Sequence, residues 1–317
     1  MTRPSILFIG GSGRSGSTML DILLNQHPAV SAVGEVHRLA NYYLQGEECT
    51  CGEMVSECPY WTQVIDGLTV ANEEASAEAG TAAPVARDQF MLSDAGYGLR
   101  ARLAERLALI MQSPERFRER AARDFARNVG EIDRSLALYD SVSLVDKTSV
   151  VIDATKDARR MKYLYMYLGE RFKLIYLVRD GRGVAASAMR RESIPMLKAA
   201  ARWALVHTKY RLALRNVPPA QILVVRYEDL CTDTEGTLAR IGGFLGIEHR
   251  PGLTEIRKDV SHTIGGNPMR FRSSETSIVL DEKWKEGMSK LDLWTFNLIA
   301  GLHNRRFGYA WRPRADG

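Results

Sequence analysis

The sequence predicts an α/β fold: a parallel sheet flanked by helices, with a helical insertion or cap. Three observations predict it. The apolar run "ILFIG" leads straight into the glycine-rich turn "GSGRSGST" (11–18) and then into a helical pattern. Short apolar strands alternate with helical segments through the second half of the chain. Between these regions, residues 65–140 read as helix after helix, with Leu99, Leu103 and Leu107 spaced four apart. Alternating apolar strand, loop and helix is what a parallel sheet covered on both faces requires.

The first strand is "SILFIG", and the helix "STMLDILLNQHP" carries Met19, Leu20, Leu23 and Leu24 at helical spacing, with Pro28 just beyond it. "VSAVGE" (30–35) reads as a second short strand ending at Glu35. The Ala/Glu/Gly-rich segment 72–84 reads as a mobile loop ahead of the insertion helices. Strand signals return in "SVVIDATK", over Val150 to Asp153, and in "FKLIYLVRD", over Lys173 to Val178. A helix over Val184–Arg190 and a longer one near Leu197–Arg215 follow, the latter with Trp203, Val206, Tyr210 and Leu214 on one stripe. "QILVVRYEDL" reads as a further strand, and 234–246 and 289–307 as helices. No internal repeat and no dividing linker is present, so residues 1–317 are expected to form a single domain, with 65–140 inserted within it.

The glycine-rich turn makes the sheet P-loop-like. The first N–H groups of a helix have no internal partner, and the helix dipole adds roughly half a positive charge there. Gly11, Gly13 and Gly16 would let the backbone wrap around a phosphate. Yet Ser17 stands where a nucleotide-hydrolysing loop carries lysine, and the loop's one cation is Arg14. A phosphate-loop kinase would also need a magnesium-holding aspartate on a later strand, for which Asp153 is the candidate. The plainest alternative is a strand-to-helix turn that uses glycine for steric reasons alone.

Three separated motifs carry a resemblance to the sulfotransferases that use 3′-phosphoadenosine-5′-phosphosulfate (PAPS). "GSGRSGST" resembles that family's loop for the 5′-phosphosulfate, which implies contacts from Gly13, Arg14, Ser15, Gly16, Ser17 and Thr18. "YLVRDGRGVAASAMRR" resembles its 3′-phosphate element, in which a strand-end arginine precedes a serine by eight residues. Arg179 and Ser187 have that spacing, and Arg191 falls where a further basic residue is usual. "RYEDL" (226–230) resembles the segment whose tyrosine, here Tyr227, lies by the adenine. The branch with tyrosylprotein sulfotransferases and many bacterial small-molecule sulfotransferases is the most similar, sharing "RSGST", "NQHP", "GE" and the "TKD" of Thr155–Asp157.

Sulfuryl transfer needs an acceptor hydroxyl in line with sulfur, a base for its proton, and cations for charge moving onto the leaving phosphate. Arg14 and Lys156 are the candidate cations; the resemblance implies that Lys156 reaches the bridging oxygen. It also implies Glu35 as base. The branch carries two acids in a row where this chain has "GEVH", which leaves His37 as a rival. By analogy with the family's C-terminal loop, Arg270, Arg272 and Ser274 would close over PAPS, although the usual Arg-Lys-Gly signature is absent. The resemblance implies no metal cofactor. Rival readings are a phosphate-loop kinase, such as one acting on adenylylsulfate, or a nucleotide-binding module without chemistry.

The 43 Lys+Arg against 38 Asp+Glu give a net charge of +5, mild for 317 residues and suited to an anionic ligand. The Arg-rich stretch 116–127 alternates with acids, as a solvated helix face does, so nucleic acid is not the expected partner. No apolar run reaches a membrane span or a signal peptide, so a cytoplasmic protein is expected. The acceptor is expected to be a small molecule with a hydroxyl. "CTCGEMVSECPYW" groups Cys49, Cys51 and Cys58. C-x-C-x6-C is not a standard zinc spacing, so reduced thiols in a packing motif are the first reading, ahead of a disulfide or a metal clip. A metal would need Cys231 or a histidine as fourth ligand.

Overall fold

Five strands form one parallel sheet in the order β2-β3-β1-β4-β5. The computed structural model describes residues 3–73, 90–255, 261–271 and 278–311. The strands are β1 (Ser5–Gly11), β2 (Val30–Ala32), β3 (Val150–Asp153), β4 (Phe172–Val178) and β5 (Ile222–Arg226). β1 lies at the centre, with Phe8 beside Asp153 of β3 on one side and Ile9 beside Ile175 of β4 on the other. Successive residues of a strand face opposite ways, so each strand feeds two cores. Ile6, Phe8, Leu174 and Tyr176 join one; Leu7, Ile9, Ile175 and Leu177 join the other.

The second core is covered by α1 (Ser17–Asn25), α10 (Tyr227–Thr232) and α11 (Thr234–Leu245). The first is covered by α2 (Leu39–Gln45), by the insertion helices α3 (Pro59–Glu73), α4 (Leu99–Met111), α5 (Pro114–Asp124) and α6 (Ala126–Asp146), and by α7 (Ala158–Leu168). α8 (Gly181–Glu192) and α9 (Met196–Ala213) pack with the short α12 (Trp284–Gly287) and the long α13 (Lys290–Arg306), where Phe296 and Ala300 meet Trp203. No helix among the described residues is long and apolar enough to cross a membrane.

The insertion helices begin earlier and end later than their periodicity predicts, at Pro59 and Asp146. Most of the expected loop 72–84 lies outside the described residues. Leu99, Leu103 and Leu107 are 72%, 50% and 56% exposed, so their four-residue repeat marks the solvent side of α4. A polar cluster sets that rotation. Glu105, 1% exposed, faces inward and accepts from Asn128 Nδ2 at 2.8 Å, from Arg159 Nη2 at 2.8 Å and from the Tyr163 hydroxyl. A buried carboxylate with three donors is stable only with all of them in place, so α4 turns Glu105 in and its leucines out.

Two further boundaries differ from the sequence reading. β2 stops at Ala32, because Gly34 leaves the sheet to pair with Ile264 of a distant segment. β5 stops at Arg226, and "YEDL" begins α10 instead of extending the strand.

Candidate active site

Each strand ends at a residue that the sequence marks out for function. The glycine-rich turn follows β1, Glu35 follows β2, Lys156 follows β3, Arg179 follows β4 and Tyr227 follows β5. The C-terminal edge of an open parallel sheet is where such folds place ligands.

The turn after β1 leaves α1 uncapped: Gly16 at the N-cap is left-handed (φ 88°), no side chain bonds the first amides, and no acid lies in the first turn. Those N–H groups and the dipole behind them favour an anion. Gly16 cannot be replaced, because a Cβ there would stand 2.6 Å from the Tyr227 ring. Ser15 Oγ lies 2.9 Å from Ser12 Oγ and donates to the Ser12 carbonyl, which pins the turn internally. The Thr18 hydroxyl accepts from the Asn267 amide at 3.2 Å. Both candidate cations, Arg14 (φ 68°) and Lys156 (φ 62°), occupy left-handed backbone that side-chain-bearing residues seldom adopt. Such strain persists where the surroundings enforce it, commonly at functional sites.

Lys156 Nζ donates to Glu35 Oε1 at 2.8 Å, and Arg38 Nε lies 3.4 Å from Glu35 Oε2. Burial alone would push the Glu35 carboxyl up, but the Lys156 ammonium, with help from His37 and Arg38, holds it below the usual carboxylate range. Glu35 is therefore ionised at neutral pH. His37 Nδ1 sits 3.3 Å from Thr155 Oγ1, and burial lowers its pKa, with Glu35 and Asp153 opposing.

Arg179 is 6% exposed and stacks 4.3 Å over the Tyr227 ring. Its guanidinium donates to the Arg14 carbonyl at 3.1 Å, and to the carbonyl and carboxylate of Asp281 at 2.7 and 3.2 Å. The Arg14 side chain lies 3.5 Å from Glu192. Ser187 is buried on α8, and Arg191 is exposed near its end. Tyr227 is 7% exposed, and its hydroxyl bonds the Val279 carbonyl and the Asp281 amide. A cavity of about 390 Å³ opens beside Asp281, where Asp180, Glu228, Asp281 and Glu282 face Arg182, Arg226 and Lys285. Asp180 pairs with Arg182 and Glu282 with Lys285, so those cations are already matched by carboxylates; the turn, Lys156 and Arg179 are the candidate anion site.

Two residues weighed from the sequence are engaged within the protein. Arg270 is 5% exposed and directs its guanidinium at backbone: Nη1 donates to the carbonyl of Gly265 at 2.7 Å, and Nη2 lies 3.4 Å from that of Glu48. It ties down its own loop, because a buried guanidinium must have its donors met. Arg272 and Ser274 lie outside the described residues. Asp153, the candidate magnesium ligand of the kinase reading, is 0% exposed and fully engaged. It accepts from Arg160 Nε at 2.8 Å, the Tyr139 hydroxyl at 2.5 Å and the Thr155 amide at 2.9 Å. Three of its roughly four accepting sites are taken, and the carboxylate is closed off from solvent.

Sequence reading missed Asp21. It is 1% exposed on α1, and neither carboxylate oxygen has a partner among the described residues. Burial pushes its pKa up to about 7, the Lys156 ammonium opposing and Asp153 and Glu35 adding to the rise. Its signal was one acid amid the apolar "MLDILL". Asp281, the partner of Arg179, left no comparable trace.

A model of the sulfotransferase family matches residues 4–251. The chain belongs to that family. No curated protein matches this sulfotransferase in sequence. Its fold is similar to the sulfotransferase domain of the Synechococcus PCC 7002 olefin synthase, at 22% identity and a TM-score of 0.52, covering 98% of this chain and 97% of that one. It is also similar to the sulfotransferase domain from the curacin biosynthetic pathway, at 18% identity and a TM-score of 0.50, covering 98% and 99%. Sulfotransferase STF9 from Mycobacterium avium matches at 12% identity and a TM-score of 0.50, covering 99% and 79%. Likeness at these identities speaks for the fold, a five-stranded parallel sheet flanked by helices.

Proposed function

We propose that this sulfotransferase moves the sulfuryl group of PAPS to a hydroxyl of a small-molecule acceptor, with Glu35 as the base. The observation that carries the reading is the 2.8 Å contact between Lys156 and Glu35, one loop from the uncapped start of α1. The turn 12–18, with Arg14, receives the 5′-phosphosulfate; Arg179, Ser187 and Arg191 serve the 3′-phosphate, and Tyr227 flanks the nucleotide. The acceptor oxygen attacks sulfur, its proton passes to Glu35, and the sulfur–oxygen bond to the 5′-phosphate breaks. 3′-Phosphoadenosine 5′-phosphate leaves with its new charge facing Lys156 and Arg14.

Paired with Lys156, Glu35 is a weak base. A bound phosphosulfate competes for the ammonium, and as Lys156 turns to the bridging oxygen the Glu35 pKa rises toward the range useful for proton transfer. Asp281 and Glu192 hold the two arginines meanwhile, as carboxylates that a phosphate can displace. The Glu35 and Lys156 side chains are 16% and 14% exposed, recessed enough to favour a slender hydroxyl-bearing molecule over a folded protein surface. Asp153, buried and ion-paired with Arg160, speaks against the magnesium-dependent kinase reading.

The test is a thermal-shift panel followed by transfer from labelled PAPS to a set of hydroxyl acceptors. A ligand at 100 times its dissociation constant adds about 2.7 kcal/mol, so 3′-phosphoadenosine 5′-phosphate should raise the Tm. Stabilisation by ATP with magnesium, and none by that product, would overturn the reading.

A further inference from the structure

Cys49, Cys51 and Cys58 meet His262 in one cluster, with the four ligand atoms all within 4.8 Å of one another. Cys58 Sγ lies 3.3 Å and Cys49 Sγ 3.7 Å from His262 Nδ1, and Cys51 Sγ lies 3.6 Å from Cys58 Sγ. A tetrahedral zinc ion, with Zn–S near 2.3 Å and Zn–N near 2.0 Å, sets neighbouring ligand atoms roughly 3.5–3.8 Å apart. Two of the three separations fall in that range, and the third, Cys58 Sγ to His262 Nδ1, lies just below it. The histidine comes from 213 residues beyond Cys49, which is why spacing within the cysteine segment could not reveal the set. Cys231, the other cysteine, lies on α10 away from it.

We infer that these residues form a structural zinc site of three cysteines and one histidine. Binding expels three thiol protons and leaves a zinc ion held by three thiolates and one imidazole. All four positions are then taken by protein, the closed arrangement of a structural site. The surroundings are built to hold the ligands still. Tyr60 stacks on the His262 ring at 4.6 Å and 7°, and Trp61 Nε1 donates to the His262 carbonyl at 3.0 Å. The Thr50 hydroxyl donates to the Ser261 carbonyl and accepts from the Thr263 amide at 2.9 Å. Cys49 and Cys58 are buried, and Cys51 is exposed at the rim.

The metal would fasten the strap 261–267 to the segment between α2 and α3. Past His262, that strap pairs with the site: the Ile264 carbonyl accepts from the Glu35 amide at 2.9 Å. Gly265 lies so close that a Cβ would stand 2.8 Å from that of Glu35. Asn267 reaches Thr18 at the phosphate turn.

Elemental analysis of the native chain, purified under reducing conditions, should find about one zinc per chain. Cys51→Ser removes the exposed ligand and His262→Asn the distant one; both should lose most of that zinc to a chelator that leaves the parent loaded. Cobalt(II) added to the metal-stripped parent should give the visible absorption and thiolate charge-transfer bands of a tetrahedral site with three sulfur ligands and one nitrogen. Circular dichroism checks that each variant is folded. Three results would overturn the inference: no zinc bound by the reduced chain in excess zinc, undiminished zinc in both folded variants, or a Cys51–Cys58 disulfide in the native mass spectrum.

Discussion

Lys156 and Glu35, carried 121 positions apart in the sequence by the ends of two adjacent strands, meet at 2.8 Å. Each restrains the other: the lysine keeps the carboxylate ionised, and the carboxylate holds the lysine at the site. In the proposed reaction both are released together.

Replacing Glu35 with Gln should lower kcat by about 10²–10⁴-fold, the usual range for a lost general base, while 3′-phosphoadenosine 5′-phosphate still binds in calorimetry. His37→Ala should retain most activity, since its ring meets Thr155 while it is Glu35 that meets Lys156. The opposite pattern would make His37 the base.

Arg179→Lys keeps a charge but loses the planar fork that now serves Arg14 and Asp281. Charge-assisted bonds are worth roughly 1.5–3 kcal/mol each, so 3′-phosphoadenosine 5′-phosphate should bind about tenfold to a hundredfold more weakly. Adenosine 5′-phosphate, which lacks the second phosphate, should lose less. Calorimetry with the two nucleotides separates these outcomes.

Asp21 predicts a pH dependence of stability. Its folded pKa of about 7 lies above the unfolded value of 3.8. Between these values the folded chain binds more protons than the unfolded one, so this contribution is complete below about pH 4 and fades as pH rises through 7. At about 1.4 kcal/mol per pKa unit the change amounts to roughly 4 kcal/mol. Asp21→Asn cannot ionise, so its stability relative to the parent should improve steadily from pH 5 to pH 8 in urea unfolding. A constant difference would show that Asp21 titrates normally.

Asp153→Ala should cost about 3–5 kcal/mol, since it leaves Arg160 buried without its counter-charge. The measurement is denaturant unfolding. Unchanged stability with lost magnesium-dependent activity would revive the kinase reading.

The sheet was legible because β1, β3 and β4 are buried on both faces and, like the half-exposed edge strand β5, read as nearly unbroken apolar runs followed by turn chemistry. The placement of Gly13–Thr18, Arg179 and Lys156 at strand ends was legible because a glycine-rich turn and cations just past apolar runs form local patterns. The leucine spacing of α4 revealed the helix but not its rotation, because the leucines face solvent and the buried face is set by Glu105, whose partners lie on α6 and α7. Arg270 misled because a basic residue in a glycine-rich loop looks the same whether it meets a phosphate or three carbonyls. His262 and Asp281 were out of reach, since their partners lie many elements away.

The strap that runs from Ser261 past Glu35 to Thr18 also has a bearing on biosynthesis. All five strands are complete at Arg226, so an emerging chain can pair its sheet and gather most of both sheet cores before the strap, whose Ile264 completes one of them, is translated. The strap must then close contacts spanning more than 200 residues, the slow, non-local step of folding. During synthesis the glycine-rich turn and Glu35 therefore coexist with an unfinished wall until the strap is made.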